Sequence, residues 1–251
     1  TLERLCDVLH RIGFHAVFDT TFAADLTVVE EATELVERIR HGGVLPMFTS
    51  CSPAWVHYVE THAPHLIAHL STCKSPQQMA ASLIKRVLPS RLDPKPRRIV
   101  SVSIMPCTAK KAEASDQGEV DFVLTTRELI KLMERFGIDW ARSVGRRPLD
   151  SPFADSTGAG RLFGGTGGVM EAAIRTVHKL ITDKDLRDGW KIPGARGMGP
   201  IRDFSLNIEG LDLGFAVVSG IGHVPALLKD IEAKRLSVHF VEVMSCPGGC
   251  V

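Results

Sequence analysis

Short apolar segments alternate with helical patterns along this chain, and that alternation restricts its fold more than any other feature. Apolar residues recur at helical spacing in several stretches, whereas the largely apolar segments 97–105 and 238–244 have the length of buried strands. Strands that alternate with helices predict an α/β protein with mostly parallel sheets flanked by helices. The Pro-containing stretch 92–97 is the best crossing point, so we expect two lobes, residues 1–93 and 94–251.

Local signals predict some element boundaries. Thr27 with Glu30, and Thr125 with Glu128, form the capping boxes that are typical of helix starts. Residues 15–18 predict a short buried strand.

The charge balance argues against several function classes. With 30 basic and 29 acidic residues the formal net charge is +1, which gives no electrostatic basis for binding nucleic acid or an anionic membrane. No run of about 18 apolar residues is present in the sequence, so we expect no transmembrane helix. Thr1 opens directly on a helical pattern, unlike a signal peptide, and we expect a piece of a longer cytoplasmic protein.

The six cysteines are too few for a disulfide-stapled secreted domain, which favours metal or redox chemistry. Cys51, Cys107 and Cys246 each follow an apolar strand, and sites in parallel sheets gather where strands end. Cys6 lies on the apolar face of the first helical pattern, and we expect it to be a small buried residue.

The sharpest local feature is the segment CPGGC at 246–250. Its glycines let the backbone fold back, so that both thiols can reach one ion or cluster. On the pair alone, metal or cluster ligation, a redox disulfide and neither role all stay open. An iron–sulfur cluster normally takes four thiolates, for which Cys51 and Cys107 are the available partners. Zinc is possible by count, although its usual sequences pair their ligands in two short motifs.

A lysine and a glutamate follow Cys107. Lys110 places a cation near the same strand end, where it could hydrogen-bond an anionic ligand or lower the pKa of a thiol. Glu113 lies three residues further along, on the same helical face. By themselves, Lys110 and Glu113 are typical of an exposed ion pair at a helix start.

Taken together, these motifs resemble the signatures of the iron-only ([FeFe]) hydrogenases. That family carries, in order, sequences close to TSC-x-P-x-W, MPC-x2-K-x2-E and E-x-M-x-C-x2-G-C. The chain has TSCSPAW at 49–55, MPCTAKKAE at 105–113 and EVMSCPGGC at 242–250. The resemblance covers nearly the whole chain. Further matching segments lie at 22–27, 71–78, 125–129 and 163–173.

The resemblance implies an activity, a cofactor and partners. Members of the family interconvert protons and H2 at an H-cluster, which joins a [4Fe-4S] cluster to a diiron subcluster carrying CO, cyanide and a dithiolate bridge. The active site is implied to lie in the cleft between the two lobes. Ferredoxin or another iron–sulfur electron carrier is the implied partner. An additional subunit or domain is also expected as a possible partner, because the second lobe stops before the family's C-terminal segment.

Family positions carry over residue by residue. Cys107, Cys246 and Cys250 match cluster ligands, and Cys250 matches the one that bridges to the diiron unit. Cys73 matches no ligand of the family, so we expect it to be a small buried residue. Lys110 matches the lysine that hydrogen-bonds an iron-bound cyanide. The residues implied to line the cofactor pocket are Met105, Met244, Ser75, Gln77, Phe163 and Gly164. Those implied to pass protons are Cys51, Glu113, Ser71, Glu31 and Glu34.

One departure concerns the pair of residues before the proline of the first motif. Most members have two adjacent cysteines there, a proton relay followed by a cluster ligand, whereas this chain has Cys51 and Ser52. Either Cys51 turns in to ligate the cluster and leaves the relay to Ser52 or water, or Ser52 supplies an oxygen ligand. Thiolate is the better iron ligand, so we favour Cys51 as the fourth ligand. Either arrangement could impair proton transfer.

Two other functions compete with the enzyme. A non-catalytic hydrogenase-like iron–sulfur protein, used in H2 sensing or cluster assembly, would share the fold. Such relatives tend to lose the lysine or the relay residues, so Lys110 and Glu113 favour the enzyme, while Ser52 weakens that preference. A Rossmann-like nucleotide binder would need G-x-G-x-x-G directly after a strand, and the glycine run 164–168 lacks that spacing and context.

Overall fold

The computed structural model describes residues 2–93, 95–186 and 192–250. Its helices are α1 (Leu2–Ile12), α2 (Thr20–His41), α3 (Pro53–His62), α4 (Pro76–Arg86), α5 (Ala109–Gln117), α6 (Thr126–Arg135), α7 (Gly158–Leu162), α8 (Gly168–Thr182) and α9 (Val224–Glu232). Its strands are β1 (Met47–Phe48), β2 (Val102–Met105), β3 (Phe122–Thr125), β4 (Ile201–Ile208), β5 (Leu211–Ser219) and β6 (Phe240–Met244). Within those ranges, every helix is too short or too polar to cross a membrane.

The chain forms two compact units, and each is built from two separate segments. The first unit contains Thr1–Ala23 and Pro76–Thr157, and the second contains Ala24–Ser75 and Gly158–Val251. The lobe boundary expected after residue 93 falls inside the first unit. The chain leaves this unit after its first segment and later returns to it, a path that local periodicity does not report.

In the first unit, β2 and β3 pair in parallel, with Val102 opposite Phe122 and Met105 opposite Thr125. Helix α5 connects the two strands, as a parallel pair requires. Helices α1 and α6 bury a shared apolar core. Its buried members are Val8, Leu9, Leu129, Met133 and Ile138.

In the second unit, a four-stranded sheet has the order β1-β6-β5-β4. The strands β1, β6 and β5 are parallel, and β4 runs antiparallel to β5. Because successive strand residues point to opposite faces, Phe215 and Phe240 pack with α2 and α8, while Ala216 and Val241 pack with α3 and α9. Helices thus cover both faces, and the predicted α/β class with parallel sheets flanked by helices is confirmed.

One of the two predicted capping boxes is confirmed. The Thr125 hydroxyl accepts from the Glu128 amide at 3.2 Å, and Glu128 Oε2 accepts from the Thr125 amide at 2.7 Å. The helix start predicted at Thr27 is wrong, because α2 begins at Thr20. Inside that helix, the Thr27 hydroxyl donates to the Lys74 carbonyl at 3.2 Å.

The strand predicted at residues 15–18 is also wrong. That segment has no strand assignment, and Val17 instead bonds to a single residue of a later loop. Its amide donates to Asp150 Oδ2 at 2.7 Å, and its carbonyl accepts from the Asp150 amide at 3.0 Å.

Candidate functional site

Two cysteine-bearing loops leave the same edge of the sheet in the second unit. Strands β1 and β6 are parallel neighbours, with Met47 opposite Phe240. Cys51 follows β1 and Cys246 follows β6, so the two loops begin side by side. Ser52 and Ser245 join them, with their hydroxyl oxygens 2.6 Å apart. The Ser52 hydroxyl is therefore engaged with Ser245 and does not cap α3.

Backbone hydrogen bonds fix the loop that contains residues 246–250. The Cys250 amide donates to the Gly164 carbonyl at 2.7 Å, and the Thr166 amide donates to the Gly248 carbonyl at 3.1 Å. The Gly248 amide donates to Ser219 Oγ at 2.9 Å. Cys246 and Cys250 are both exposed, so the loop presents two thiols on a constrained backbone.

Gly249 makes the closest approach in this loop, and we expect Gly249→Ala to loosen it. A Cβ at Gly249 would lie 2.3 Å from the Gly164 carbonyl oxygen, whereas a Cβ at Gly248 would meet nothing within 4 Å. Both glycines have positive φ, so each alanine variant carries backbone strain of roughly 1–3 kcal/mol, and only Gly249→Ala adds a clash. We expect faster hydrogen exchange of the Cys250 amide in Gly249→Ala than in the matched Gly248→Ala. Equal exchange in both variants would argue against the contact.

Apolar side chains surround the Cys51 thiol. Cys51 is partly buried and packs in a cluster that includes Phe163 and Met244, which are 8% and 3% exposed. Gly164 follows Phe163 directly, and a Cβ built on it would meet nothing within 4 Å, so open space lies beside this backbone. The second unit thereby gathers thiols, apolar side chains and open space around one loop pair.

Two carboxylates on α2 have opposite environments. Glu31 is fully buried, and neither of its oxygens makes a hydrogen bond of normal geometry in the described ranges, because the nearby Ser71 hydroxyl donates to Glu34 instead. Burial raises the pKa of Glu31 to about 8 and the Glu34 carboxylate adds to the rise, while the proximity of Ser71 and of the Ser50 backbone opposes it. Burial also raises the pKa of Glu34, but hydrogen bonds from Ser71, Arg38 and Thr72 outweigh it and leave that pKa lowered.

Short contacts hold the Glu34 carboxylate in place. The Ser71 hydroxyl donates to Oε2 at 2.8 Å, and the Thr72 amide donates to the same oxygen at 2.9 Å. Arg38 pairs with Oε1 at 2.6 Å. The thiol of Cys73 lies 3.6 Å from Oε2. Cys73 is only partly buried, so the prediction that it is a buried residue is wrong.

The raised pKa of Glu31 predicts that the stability of the fold falls as the pH rises. Its protonated carboxyl contributes stability that is fully present below about pH 4.5, the unfolded value, and is lost as the pH rises toward 8. We therefore expect Glu31→Gln to become more stable relative to the unmodified chain between pH ~5 and ~8, as measured by urea unfolding. Glu30→Gln, an exposed change on the same helix, is the control. A Glu31→Gln difference that does not vary with pH would contradict the assignment.

The sequence interpretation missed a role for Glu242. This fully buried carboxylate in β6 accepts from the Gly167 amide at 2.6 Å and the Met170 amide at 2.7 Å, at the N-terminus of α8. Burial raises its pKa to about 7, and these two hydrogen bonds oppose the rise. The sequence did contain a signal for this role, because Glu242 is an acidic residue inside the otherwise apolar strand FVEVM. Glu242 fixes α8, and with it the preceding 163–166 loop, onto the sheet.

In the first unit, Cys107 and Met105 lie at the end of β2, and both are partly buried. The exposed ion pair that is typical of Lys110 and Glu113 by themselves does not form, because both residues are nearly buried. Lys110 Nζ lies 3.0 and 3.1 Å from the two oxygens of Glu113, and these side chains are 11% and 6% exposed. Their burial follows from packing against α4, which local spacing does not reveal.

A glutamine completes this ion pair. Gln77 Nε2 donates to Glu113 Oε2 and to the Lys110 carbonyl, each at 3.0 Å, and Gln77 Oε1 accepts from the Ser103 hydroxyl at 2.7 Å. Ser75 is buried just before α4 and belongs to the second unit. The first unit thus unites Lys110, Glu113 and Gln77 in one network.

Comparisons with known proteins agree on one family. Residues 1–251 match the family model described as "Iron only hydrogenase large subunit, C-terminal domain". The chain is 41% identical over 261 residues to the periplasmic [Fe] hydrogenase large subunit of Nitratidesulfovibrio vulgaris, covering 100% of the chain and 61% of that protein. It is 38% identical over 255 residues to iron hydrogenase 1 of Clostridium pasteurianum, covering 99% and 44%.

Another relative has a different role. The chain is 30% identical over 282 residues to the cytosolic Fe-S cluster assembly factor narfl of Xenopus tropicalis, covering 100% of the chain and 56% of that protein. The chain therefore spans less than two thirds of the length of these curated relatives. Among solved structures, an apo [FeFe]-hydrogenase from Chlamydomonas reinhardtii matches with a TM-score of 0.85 and 35% identity, covering 100% of the chain and 72% of that structure.

Proposed function

This chain belongs to the iron-only hydrogenase large-subunit family, and we propose that it forms most of a hydrogen-activating domain that interconverts protons and H2. The observation that carries the proposal is the junction of the two thiol loops in the second unit. Parallel pairing of β1 with β6 and the contact between Ser52 and Ser245 bring the loop of Cys51 against the loop of Cys246. Two thiols can bind the same cluster only if their loops lie side by side, as these two do.

The donor set fits an iron–sulfur cluster. We propose that Cys51, Cys107, Cys246 and Cys250 hold a [4Fe-4S] cluster, with Cys250 also bridging to the diiron subcluster. Two of these thiols are exposed on a loop fixed by hydrogen bonds, and open space lies beside Gly164. Four thiolates are what such a cluster normally takes. The proposal requires the first unit to present Cys107 to the same centre.

The engagement of Ser52 with Ser245 favours Cys51 as the fourth ligand. The Ser52 hydroxyl already makes a 2.6 Å hydrogen bond, and breaking it to bind iron would add a cost to an oxygen donor that is weaker than thiolate. With Cys51 committed to iron, the relay role passes to Ser52 or water in this proposal.

When bound, the diiron subcluster with its CO, cyanide and dithiolate ligands supplies the metal chemistry of H2. The chain's own residues would hold the cofactor and form its surroundings. Phe163 and Met244 pack against Cys51 and would cover part of the pocket, and Lys110, fixed by Glu113, offers a nearly buried cation for an anionic ligand. Met105, Ser75, Gln77 and Gly164 complete the proposed pocket.

Proton transfer is proposed to use Glu113, Ser71, Glu31 and Glu34. With a pKa of about 8, Glu31 keeps its proton at neutral pH and can donate it. The Ser71 hydroxyl donates to Glu34 Oε2 at 2.8 Å, and Arg38 keeps that carboxylate ionised, so Glu34 would hold a relayed proton only in passing. Ferredoxin or another iron–sulfur carrier is the proposed electron partner, and cytoplasmic localisation stays a prediction.

A second candidate is a non-catalytic role in cluster assembly. The relative from Xenopus tropicalis favours it, because its similarity extends over 100% of this chain. The nearly buried network of Lys110, Glu113 and Gln77 favours the enzyme, since an assembly factor has no need of a fixed cation for a cyanide ligand.

The test is infrared spectroscopy and gas production from the full-length protein after loading with the diiron cofactor. Bands of iron-bound CO and cyanide together with H2 from reduced viologen are the expected result. Bands of iron-bound CO and cyanide without H2 evolution would overturn the proposed activity and support an H2-sensing role instead. An iron–sulfur cluster with no such bands would support the assembly role and overturn the proposal.

A further inference from the structure

Three metal-ligating side chains meet in the first unit, apart from the proposed cluster. Cys6 and His10 lie one turn apart on α1, and Asp150 lies in the loop that follows α6. The thiol sulfur, a ring nitrogen and a carboxylate oxygen all lie within 4.8 Å of one another. Cys6 is fully buried, while the side chains of His10 and Asp150 are 9% and 22% exposed.

This geometry is close to that of a zinc site. Zinc bonds of about 2.0–2.3 Å to sulfur, nitrogen and oxygen hold the ligand atoms of a tetrahedral ion roughly 3.3–3.8 Å apart. His10 Nε2 and Asp150 Oδ2 are now hydrogen-bonded at 2.8 Å, so an ion between them requires these two atoms to separate by roughly 0.5–1 Å. The partly exposed side of Asp150 offers a route of entry from solvent.

The donor chemistry and charge also suit zinc. Thiolate, imidazole and carboxylate are the ligand types that zinc takes in proteins. One thiolate and one carboxylate balance the charge of a divalent ion, so the ion and its ligands together carry no net charge, although Asp150 also pairs with Arg147. The thiol proton of Cys6 and any proton on His10 pass to solvent when the ion binds.

Neighbouring groups already orient the ligands. The Val17 amide donates to Asp150 Oδ2 at 2.7 Å, and Arg147 lies 3.5 Å from Asp150 Oδ1. The Cys6 thiol donates to the Pro148 carbonyl at 3.1 Å. Outer contacts of this kind hold ligating side chains in place in metal sites.

We propose that Cys6, His10 and Asp150 bind a zinc ion that ties α1 to the 147–150 loop, with water in the open fourth position. Core packing alone, the role expected for Cys6 from the sequence, does not account for an imidazole and a carboxylate gathered around its sulfur. The site is independent of the proposed hydrogenase chemistry.

The test uses cobalt(II) as a spectroscopic probe for zinc. The starting protein carries Cys246→Ser and Cys250→Ser, which remove the exposed thiol pair. We expect one equivalent of cobalt to give a thiolate-to-cobalt charge-transfer band that zinc abolishes. Adding Cys6→Ser should remove the band. His10→Gln, which leaves the buried thiol in place, should weaken cobalt binding by more than the roughly 10–100-fold that loss of an outer contact costs.

His15→Gln is the matched control, since His15 is exposed and follows α1 in the same unit. It should bind cobalt as the starting protein does. The absence of a band in the starting protein would overturn the proposal. A band of unchanged intensity and affinity in Cys6→Ser and His10→Gln would also overturn it, because other thiols would then bind the ion.

Discussion

Cys250→Ala is expected to take up little or no iron–sulfur cluster, and to show no infrared bands of iron-bound CO or cyanide after loading. The reason is the ligand count. If Cys250 both ligates the [4Fe-4S] cluster and bridges to the diiron unit, its loss leaves three thiolates where four are needed and removes the link between the two parts. Iron content, visible absorption and infrared spectra of the reconstituted full-length protein measure the effect.

Cys73→Ala is the matched control for this variant. Cys73 lies in the same unit, and its thiol contacts Glu34 rather than the 246–250 loop. We expect it to retain the iron content of the unmodified protein. Because Cys250 is exposed, Cys250→Ala should leave the thermal unfolding of the cluster-free chain unchanged, which separates ligand loss from misfolding. Full iron content in Cys250→Ala would remove it from the ligand set.

Lys110→Met is expected to destabilise the cluster-free chain by roughly 3–5 kcal/mol, because it leaves the nearly buried Glu113 carboxylate without its cation. Lys110 Nζ contacts both oxygens of that carboxylate, and Gln77 alone cannot supply the lost charge. Urea unfolding at neutral pH measures the loss. The double variant Lys110→Met with Glu113→Gln should recover much of it, since it removes the uncompensated charge.

The neighbouring Lys111 provides an internal comparison. Lys111 pairs with Glu128 at 2.6 Å, but both side chains are about two-fifths exposed, at 42% and 41%. Pairs of this kind contribute little to stability, so Lys111→Met should change the free energy of unfolding far less than Lys110→Met. Similar losses in both variants would mean that burial does not distinguish the two pairs.

Local sequence signals predicted the two strands, β1 and β6, that carry the thiol loops of the second unit. Apolar runs place β1 and β6, and parallel strands end at a common edge, so the proximity of the Cys51 and Cys246 loops follows from fold class. The capping box at Thr125 is equally local. The start of α2 was missed because a Thr–Glu spacing can also occur inside a helix, as it does at Thr27.

Features that depend on distant segments could not be predicted. The burial of Lys110 and Glu113 depends on Gln77 and Ser103, which come from other parts of the chain. The composition of the first unit depends on how two separated segments pack. The grouping of Cys6 and His10 with Asp150 likewise needs a loop far along the sequence.

The pairing of β1 with β6 has a consequence for synthesis. Met47 leaves the ribosome long before its partner Phe240 exists, and at about 5–20 residues per second the delay is roughly 10–40 s. Throughout that interval β1 can pair with Leu70 and Ser71, but the edge that β6 will occupy stays open. If Cys51 and Cys246 share a cluster, that cluster can form only after the last strand has closed the sheet.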